Sequence, residues 1–216
     1  MRARITAASA LVVLAVIAGI YLFILPARRP GPPLADPALP DENVAGLTIP
    51  DFTLTTQDDR PFARENLLGH YTVLCFIFTN CPFICPAMTL NMAALADDLK
   101  DTPARFLSIS VDPIHDTTAR LREHARKIAA DPARWTFLTG DFAVVRSIAR
   151  DALGFDLEPD PNTPITLPDG SSMSNIRHPG HFILVGTRGE VIAFYRSSEP
   201  EQLRLLAARL RSLTKP

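Results

Sequence analysis

Residues 71–88, "YTVLCFIFTNCPFICPAM", decide how the rest of the chain is read. The first half, "YTVLCFIFT", is a continuous apolar run rich in β-branched and aromatic residues. A run of this kind reads as a strand buried on both faces. The second half places Cys81 and Cys85 three residues apart, each followed by proline. Downstream, Met88, Met92, Leu95 and Leu99 recur at i, i+4, i+7 and i+11, one stripe of an amphipathic helix. The stretch is therefore a buried strand that turns into a helix, with two thiols at the turn.

The thiols fall at i and i+4. If the helix starts near Cys81, both sulfurs lie on one face, one turn apart. Pro82 suits a first helical turn, where no N–H is needed. Pro86 is tolerated if the helix starts later. The unpaired N–H groups and positive dipole end of a helix N-terminus favour thiolate. Thiolates are nucleophiles and soft metal ligands, so electron exchange and metal binding both stay open. Cys-x2-Cys is the usual spacing of dithiol oxidoreductases. A third intervening residue lets the sulfurs close to a disulfide or spread around one ion. Two thiolates and one imidazole suit Cu(I), which needs no fourth ligand. Structural zinc would want a fourth ligand, and no further cysteine is free to supply it. The third cysteine, Cys75, lies inside the apolar strand and reads as a small core hydrophobe.

Outward from this stretch the chain alternates. "DFTLTT" and "RPFAREN" form an extended pair around Gln57–Arg60. "RFLSISVD" and "TFLTG" are strands, and "TTARLREHARKIAA" is a helix with Asp116 as its N-cap. "FAVVRSIARDAL" is a helix ended by Gly154. Residues 155–180 read as an irregular segment rich in Pro, Asp, Ser and Asn. "HFILVGTRGEVIAFYR" is a hairpin turning near Thr187–Gly189, and "EQLRLLAARLRSL" a closing helix with Leu203, Leu206, Leu210 and Leu213 on one face. Parallel crossovers followed by an antiparallel hairpin predict an α/β sandwich. A central strand feeding a cysteine pair at a helix start is the thioredoxin-like fold, three layers α/β/α around a central mixed sheet.

Residues 5–25 carry no charge. At about 1.5 Å per helical residue, this run matches the hydrocarbon thickness of a bilayer. It ends in "LPARRP", a poor cleavage site, so residues 1–25 read as an uncleaved N-terminal transmembrane helix, with a signal peptide as the alternative. Six prolines within residues 26–46 mark a semi-stiff linker. The globular domain is then 47–216. A signal-anchor ahead of a long globular part predicts a single-pass protein of the cell inner membrane facing the periplasm, or one secreted there. Net charge is −1 and no glycine-rich phosphate loop is visible, so nothing points to nucleic acid.

Several stretches together resemble the Sco/SenC family of copper-binding, thioredoxin-fold proteins used in assembling cytochrome c oxidase. "PDFTLTTQDDRPF" (50–62) is similar to the family's extended opening segment. "FIFTNCPFICPAM" matches its F-T-x-C-P-x-x-C-P core, "ISVDPIHDT" (109–117) its S-V-D-P-x-x-D-T stretch, and "HPGHFILVGTRGEV" (178–191) its histidine, strand and glycine turn. The resemblance spans residues 47–216. It implies a copper chaperone that binds copper, Cu(I) or Cu(II), through Cys81, Cys85 and a histidine. It also implies delivery to the copper-site subunit of cytochrome c oxidase or another copper-delivery protein.

The family histidine lies eleven residues before the hairpin glycine. Counting back from Gly189 gives His178, with His181 as the competing ligand at the position where thioredoxins place a cis-proline. The family usually has Ser or Thr after this histidine, and here it is Pro179. The segment before His178, "DLEPDPNTPITLPDGSSMSNIR" (156–177), fits the loop that carries the family histidine, and a mobile loop would bring the third ligand to the thiolates. Thiol-disulfide exchange on the same oxidase subunit uses the same cysteines and is the alternative function. A peroxidase with Cys81 as attacking thiol would want T-x-x-C, whereas Thr79 stands only two residues before Cys81. Met88 and Met92 read as core and Met173 as a weak ligand. Asp112 reads as a turn residue or an orienting group, and His70, His115 and His124 as surface residues.

Overall fold

The computed structural model describes residues 36–215. The expected transmembrane helix at 1–25 and the linker's first residues lie outside this range. Among the described residues, no helix is long and apolar enough to cross a membrane.

Among the described residues, nine strands and four α-helices follow in order: β1 Thr53–Thr56, β2 Pro61–Ala63, β3 Thr72–Ile77, α1 Cys85–Asp98, β4 Arg105–Ser110, α2 Thr118–Lys127, β5 Trp135–Thr139, α3 Phe142–Ser147, β6 Glu158–Thr166, β7 Ser172–Arg177, β8 His181–Val185, β9 Val191–Arg196 and α4 Pro200–Leu213. Seven strands form one sheet in the order β2-β1-β5-β4-β3-β8-β9, and β6 and β7 form a separate ribbon. β3, β4 and β5 are parallel; every other pairing is antiparallel. The sheet is mixed, as its β-α-β-α-β then β-β order requires.

All six residues of β3 and five of six in β4 are buried, so both faces of the sheet are covered. Right-handed crossovers put α1 and α2 on one face. α4 lies beside α1, joined by Arg211 to Asp98 at 2.6 Å. The chain from β5 to β8 must cross β4 and β3 again, and it covers the other face with Val145, Ile148, Ala149 and Leu153. α3 widens there into a π-turn, Ile148–Ala152, and Gly154 stops it at φ +70°, a backbone region that disfavours side chains. The stripe of α1 is core as expected: Met88 and Met92 are buried among the sheet's apolar side chains.

Three local expectations are corrected. The cap of α2 is Thr117, which accepts from Arg120 N; Asp116 turns inward and is fully buried. His124 sits half-buried with its ring edge toward Phe137 rather than on the open surface. Within the segment read as irregular, residues 158–177 form the β6–β7 ribbon. Its prolines fit because each strand of a two-stranded ribbon has one side that donates no ladder bond. A register shift between Asp160 and Pro164 absorbs the extra residues.

The C-terminal part of the proline-rich segment lies on the fold. Asp41 N donates to Ile192 O at 2.8 Å, and Arg209 holds the carbonyls of Pro37 and Leu39 and the carboxylate of Asp41. A second arginine closes the end of α1. Arg134 donates to Ala96 O, Leu99 O and Ala104 O, and its guanidinium lies over the Phe106 ring. Arg134→Ala removes three charge-assisted bonds to backbone carbonyls, of which Leu99 O keeps Thr102 as a donor, and costs about 2–3 kcal/mol in urea unfolding. A loss under about 0.5 kcal/mol, the range of ordinary surface changes, would show that these bonds are replaced by water.

Candidate metal centre

Three elements deliver the site. β3 ends at Ile77, and Phe78 is buried immediately after it. The chain then turns, with Cys81 N donating to Phe78 O at 3.2 Å. α1 starts at Cys85, not near Cys81. Pro86 explains the late start. In a helix begun at Cys81, Pro86 would fall inside it and break the bond to the Pro82 carbonyl. Starting at Cys85, the helix has Pro86 in its first turn, where the missing N–H costs nothing. Cys81 therefore sits in the turn and Cys85 on the helix.

The third group arrives through strand register. β8 runs antiparallel to β3, with Thr72 opposite Val185 and Leu74 opposite Ile183. Continuing that register carries the chain before β8 toward the end of β3, where the cysteines emerge. His178, between β7 and β8, reaches them: its Nε2 lies 3.1 Å from Cys85 Sγ. The donor atoms of Cys81, Cys85 and His178 all lie within 4.8 Å of one another. His178 Nδ1 lies 3.3 Å from the carbonyl oxygen of Pro179, and its Nε2 faces the sulfurs. The edge of the Phe78–His178 ring pair, at 5.8 Å and 82°, fixes the imidazole from the other side. A groove of about 320 Å³ opens beside the donors, lined by Phe83, Ile84, Asn175 and Arg177 among others.

The two thiols differ electrostatically. Cys85 S–H donates to Cys81, which holds the Cys81 thiol far below its usual range against the opposing effect of burial; His178 and the backbone at Cys85 and Phe83 add to it. Giving that hydrogen bond and being buried both push Cys85 up. Cys81 is therefore the readier thiolate of the pair and Cys85 the hydrogen-bond donor. All three cysteines are free, and burial pushes the Cys75 thiol up to about 12.

The donor set fits a soft ion. Thiolate sulfur and imidazole nitrogen bind first-row metals at about 2.0–2.3 Å, and one ion spans atoms about 4 Å apart. Cys81, Cys85 and His178 are the three residues that sequence reasoning selected, and they meet. His181 is not in the group. Its ring stacks on Phe155 at 5.3 Å, its Nδ1 is buried without a hydrogen-bond partner among the described residues, and burial, then Arg196, lower its pKa. Met173 packs against the core from the ribbon. Asp112 takes the turn role: its carboxylate lies 2.7 Å from His115 Nδ1. The Thr79 hydroxyl donates to Asp116. Reasoning from sequence missed Phe78 as a wall of the imidazole and the Pro179 carbonyl beside its Nδ1; only a three-dimensional neighbour relation reveals either.

Fold and site together define a thioredoxin-like α/β protein with a Cys2His cluster at its strand-to-helix turn. The chain belongs to the SCO1/SenC family, whose profile matches residues 40–215. It is 31% identical over 154 residues to a SCO1 protein homolog of Bacillus subtilis (strain 168), covering 70% of this chain and 75% of that one. A Stutzerimonas stutzeri protein named for copper binding is 31% identical over 152 residues, 69% of each chain. Among solved structures, a SCO1/SenC family lipoprotein from Bacillus anthracis str. Ames matches with a TM-score of 0.65 at 28% identity, over 77% of this chain and 96% of that one. BsSco, described as a member of the Sco family of cytochrome c oxidase assembly proteins with a disulfide switch, matches at 0.64 and 28%, over 82% and 99%.

The unequal thiols make a chemical prediction. Because the Cys81 pKa is lowered and that of Cys85 raised, the Cys81 thiolate should persist into mildly acidic buffer while Cys85 stays protonated. Alkylation with iodoacetamide followed by mass spectrometry should label Cys81 first. Cys85→Ala removes the S–H donor, so the Cys81 midpoint should climb toward the free-thiol value of about 8.5. Equal labelling of both cysteines across the titration would contradict the assignment.

Proposed function

We propose that this chain carries copper on Cys81, Cys85 and His178 and delivers it to the copper-site subunit of cytochrome c oxidase. The observation behind this reading is the meeting of two sulfurs and one imidazole nitrogen within 4.8 Å, supplied by three different parts of the fold. Membership of the SCO1/SenC family and a relative named for copper binding support the choice of ion and of pathway. Copper is cargo here. Three ligands leave the ion coordinatively open, so an incoming donor from an acceptor protein can bind before the chaperone's donors let go. The groove beside Cys81 and His178 gives that donor access. The same proposal places residues 1–25 as an inner-membrane anchor with the folded domain in the periplasm.

A second reading rests on the asymmetric thiol pair. The Cys81 thiolate can attack a partner's disulfide, breaking its S–S bond and forming a mixed disulfide. Cys85, losing its proton, then attacks Cys81 Sγ and releases the partner's second thiol. The partner gains two electrons and Cys81–Cys85 becomes the disulfide. Since metal binding needs the pair reduced, the two activities exclude one another on a single molecule at a given moment.

Titration of the reduced protein with Cu(I) against a chromophoric chelator tests the first reading. One equivalent should bind, and Cys81→Ser or Cys85→Ser should abolish tight binding. Loss of a direct ligand costs at least what loss of an orienting partner does, so His178→Ala should weaken binding by about tenfold or more. His181→Ala should leave it unchanged. Tight binding that survives both cysteine substitutions would refute the proposed centre, and a loss confined to His181→Ala would move the third ligand.

A further inference from the structure

Asp116 is fully buried and belongs to none of the ion pairs among the described residues. A buried carboxylate without a counter-charge is costly unless donors surround it. Here the donors come from two neighbouring strand ends. Ser110, the last residue of β4, donates its hydroxyl to Oδ2 at 2.6 Å. Thr79, just beyond β3, donates both its hydroxyl and its backbone N–H, the latter at 3.1 and 3.2 Å to the two oxygens. Arg120, from the first turn of α2, completes the arrangement. It donates Nε–H to Thr79 Oγ1 at 3.2 Å and Nη2–H to Asn80 Oδ1 at 3.0 Å.

Of the three donors in the centre, Cys81 alone has no helix or strand of its own or directly beside it. Cys85 stands on α1, and His178 follows directly on β7. The turn holding Cys81 carries exposed apolar side chains at Phe83 and Ile84, and Cys81 N–H to Phe78 O bonds it internally. What holds residues 79 and 80 from outside is Asp116 and Arg120.

We propose that Asp116 is a positioning residue for the Cys81–Cys85–His178 centre: through the N–H and hydroxyl of Thr79 it clamps the turn that sets Cys81 against the other two donors. The inference rests on the copper reading for its metal-affinity consequence, and on the geometry of the thiol pair alone for its redox consequence. Asp116 touches neither sulfur nor imidazole. Its effect passes through Thr79, and Ser110 anchors its far side.

Three variants of the full chain test this: Asp116→Asn, which swaps an acceptor for an amide N–H facing donors; Thr79→Val, which deletes the hydroxyl and keeps the shape; and Ser110→Ala, which loosens the anchor without touching the turn. Each is measured for Cu(I) affinity by chelator competition, for the Cys81–Cys85 reduction potential in glutathione buffers, and for urea stability. Asp116→Asn and Thr79→Val should lower Cu(I) affinity about tenfold or more, as loss of an orienting partner does, and shift the potential. Thr79→Ser should restore both. Ser110→Ala should lower stability and leave affinity and potential near wild type. A merely structural Asp116 would lower stability while affinity and potential stayed at wild-type values, and that result overturns the inference. So does a Ser110→Ala loss equal to that of Asp116→Asn. Should Asp116→Asn fail to fold, Thr79→Val decides. If wild type binds Cu(I) no better than the cysteine variants, the copper reading fails separately, and the potentials alone decide the clamp.

Discussion

A strand buried on both faces can do chemistry only where it ends. β3 is that strand here. Its backbone is committed to β4 on one side and β8 on the other, and its side chains are committed to the core above and below. The two pairings have opposite direction, and the site follows from this. The parallel neighbour brings its own C-terminal end, with Ser110 and Asp112, to the place where β3 finishes. The antiparallel neighbour brings its beginning, with His178 just ahead of it. Residues separated by about a hundred positions become neighbours without any feature of the intervening sequence having to encode the contact.

The donors are therefore mounted differently. Cys85 rides on a 14-residue helix seated on the sheet. His178 hangs between an isolated ribbon and a core strand. Cys81 depends on a turn held from outside. A soft ion needs all three, whereas exchange of electrons needs the two sulfurs. The same geometry thus separates what the pair can do alone from what it does with the imidazole. The groove beside Cys81 is the side on which either a ligand or a disulfide can approach.

Much of the architecture was legible in the sequence because its signals are local. A continuous apolar run marked β3, a 3.6-residue stripe marked α1, and a glycine turn marked the β8–β9 hairpin. The cysteine pair announced itself through spacing and flanking prolines. Choosing His178 over His181 needed the family resemblance; the spacing of residues offered no reason. The ribbon was missed because Pro159, Pro161 and Pro164 argue against a strand, and nothing local says that their outward sides are free of partners. The start of α1 could have been read correctly, since Pro86 forbids an earlier one. Asp116 was misread as a cap for the opposite reason: its position before Thr117 and Thr118 fits a cap, but burial against Thr79 and Ser110 is a long-range fact.

Burial of Cys75 reaches beyond packing. A chain with three cysteines has three ways to form one disulfide, and two of them would tie the middle of a core strand to the turn or to the helix that follows it. Once β3 lies between β4 and β8, the Cys75 sulfur is shielded and held protonated, and exchange chemistry requires an accessible thiolate. The folded chain is thus left with one pairing out of three. Within the fold, the sheet itself removes the two pairings that would involve Cys75.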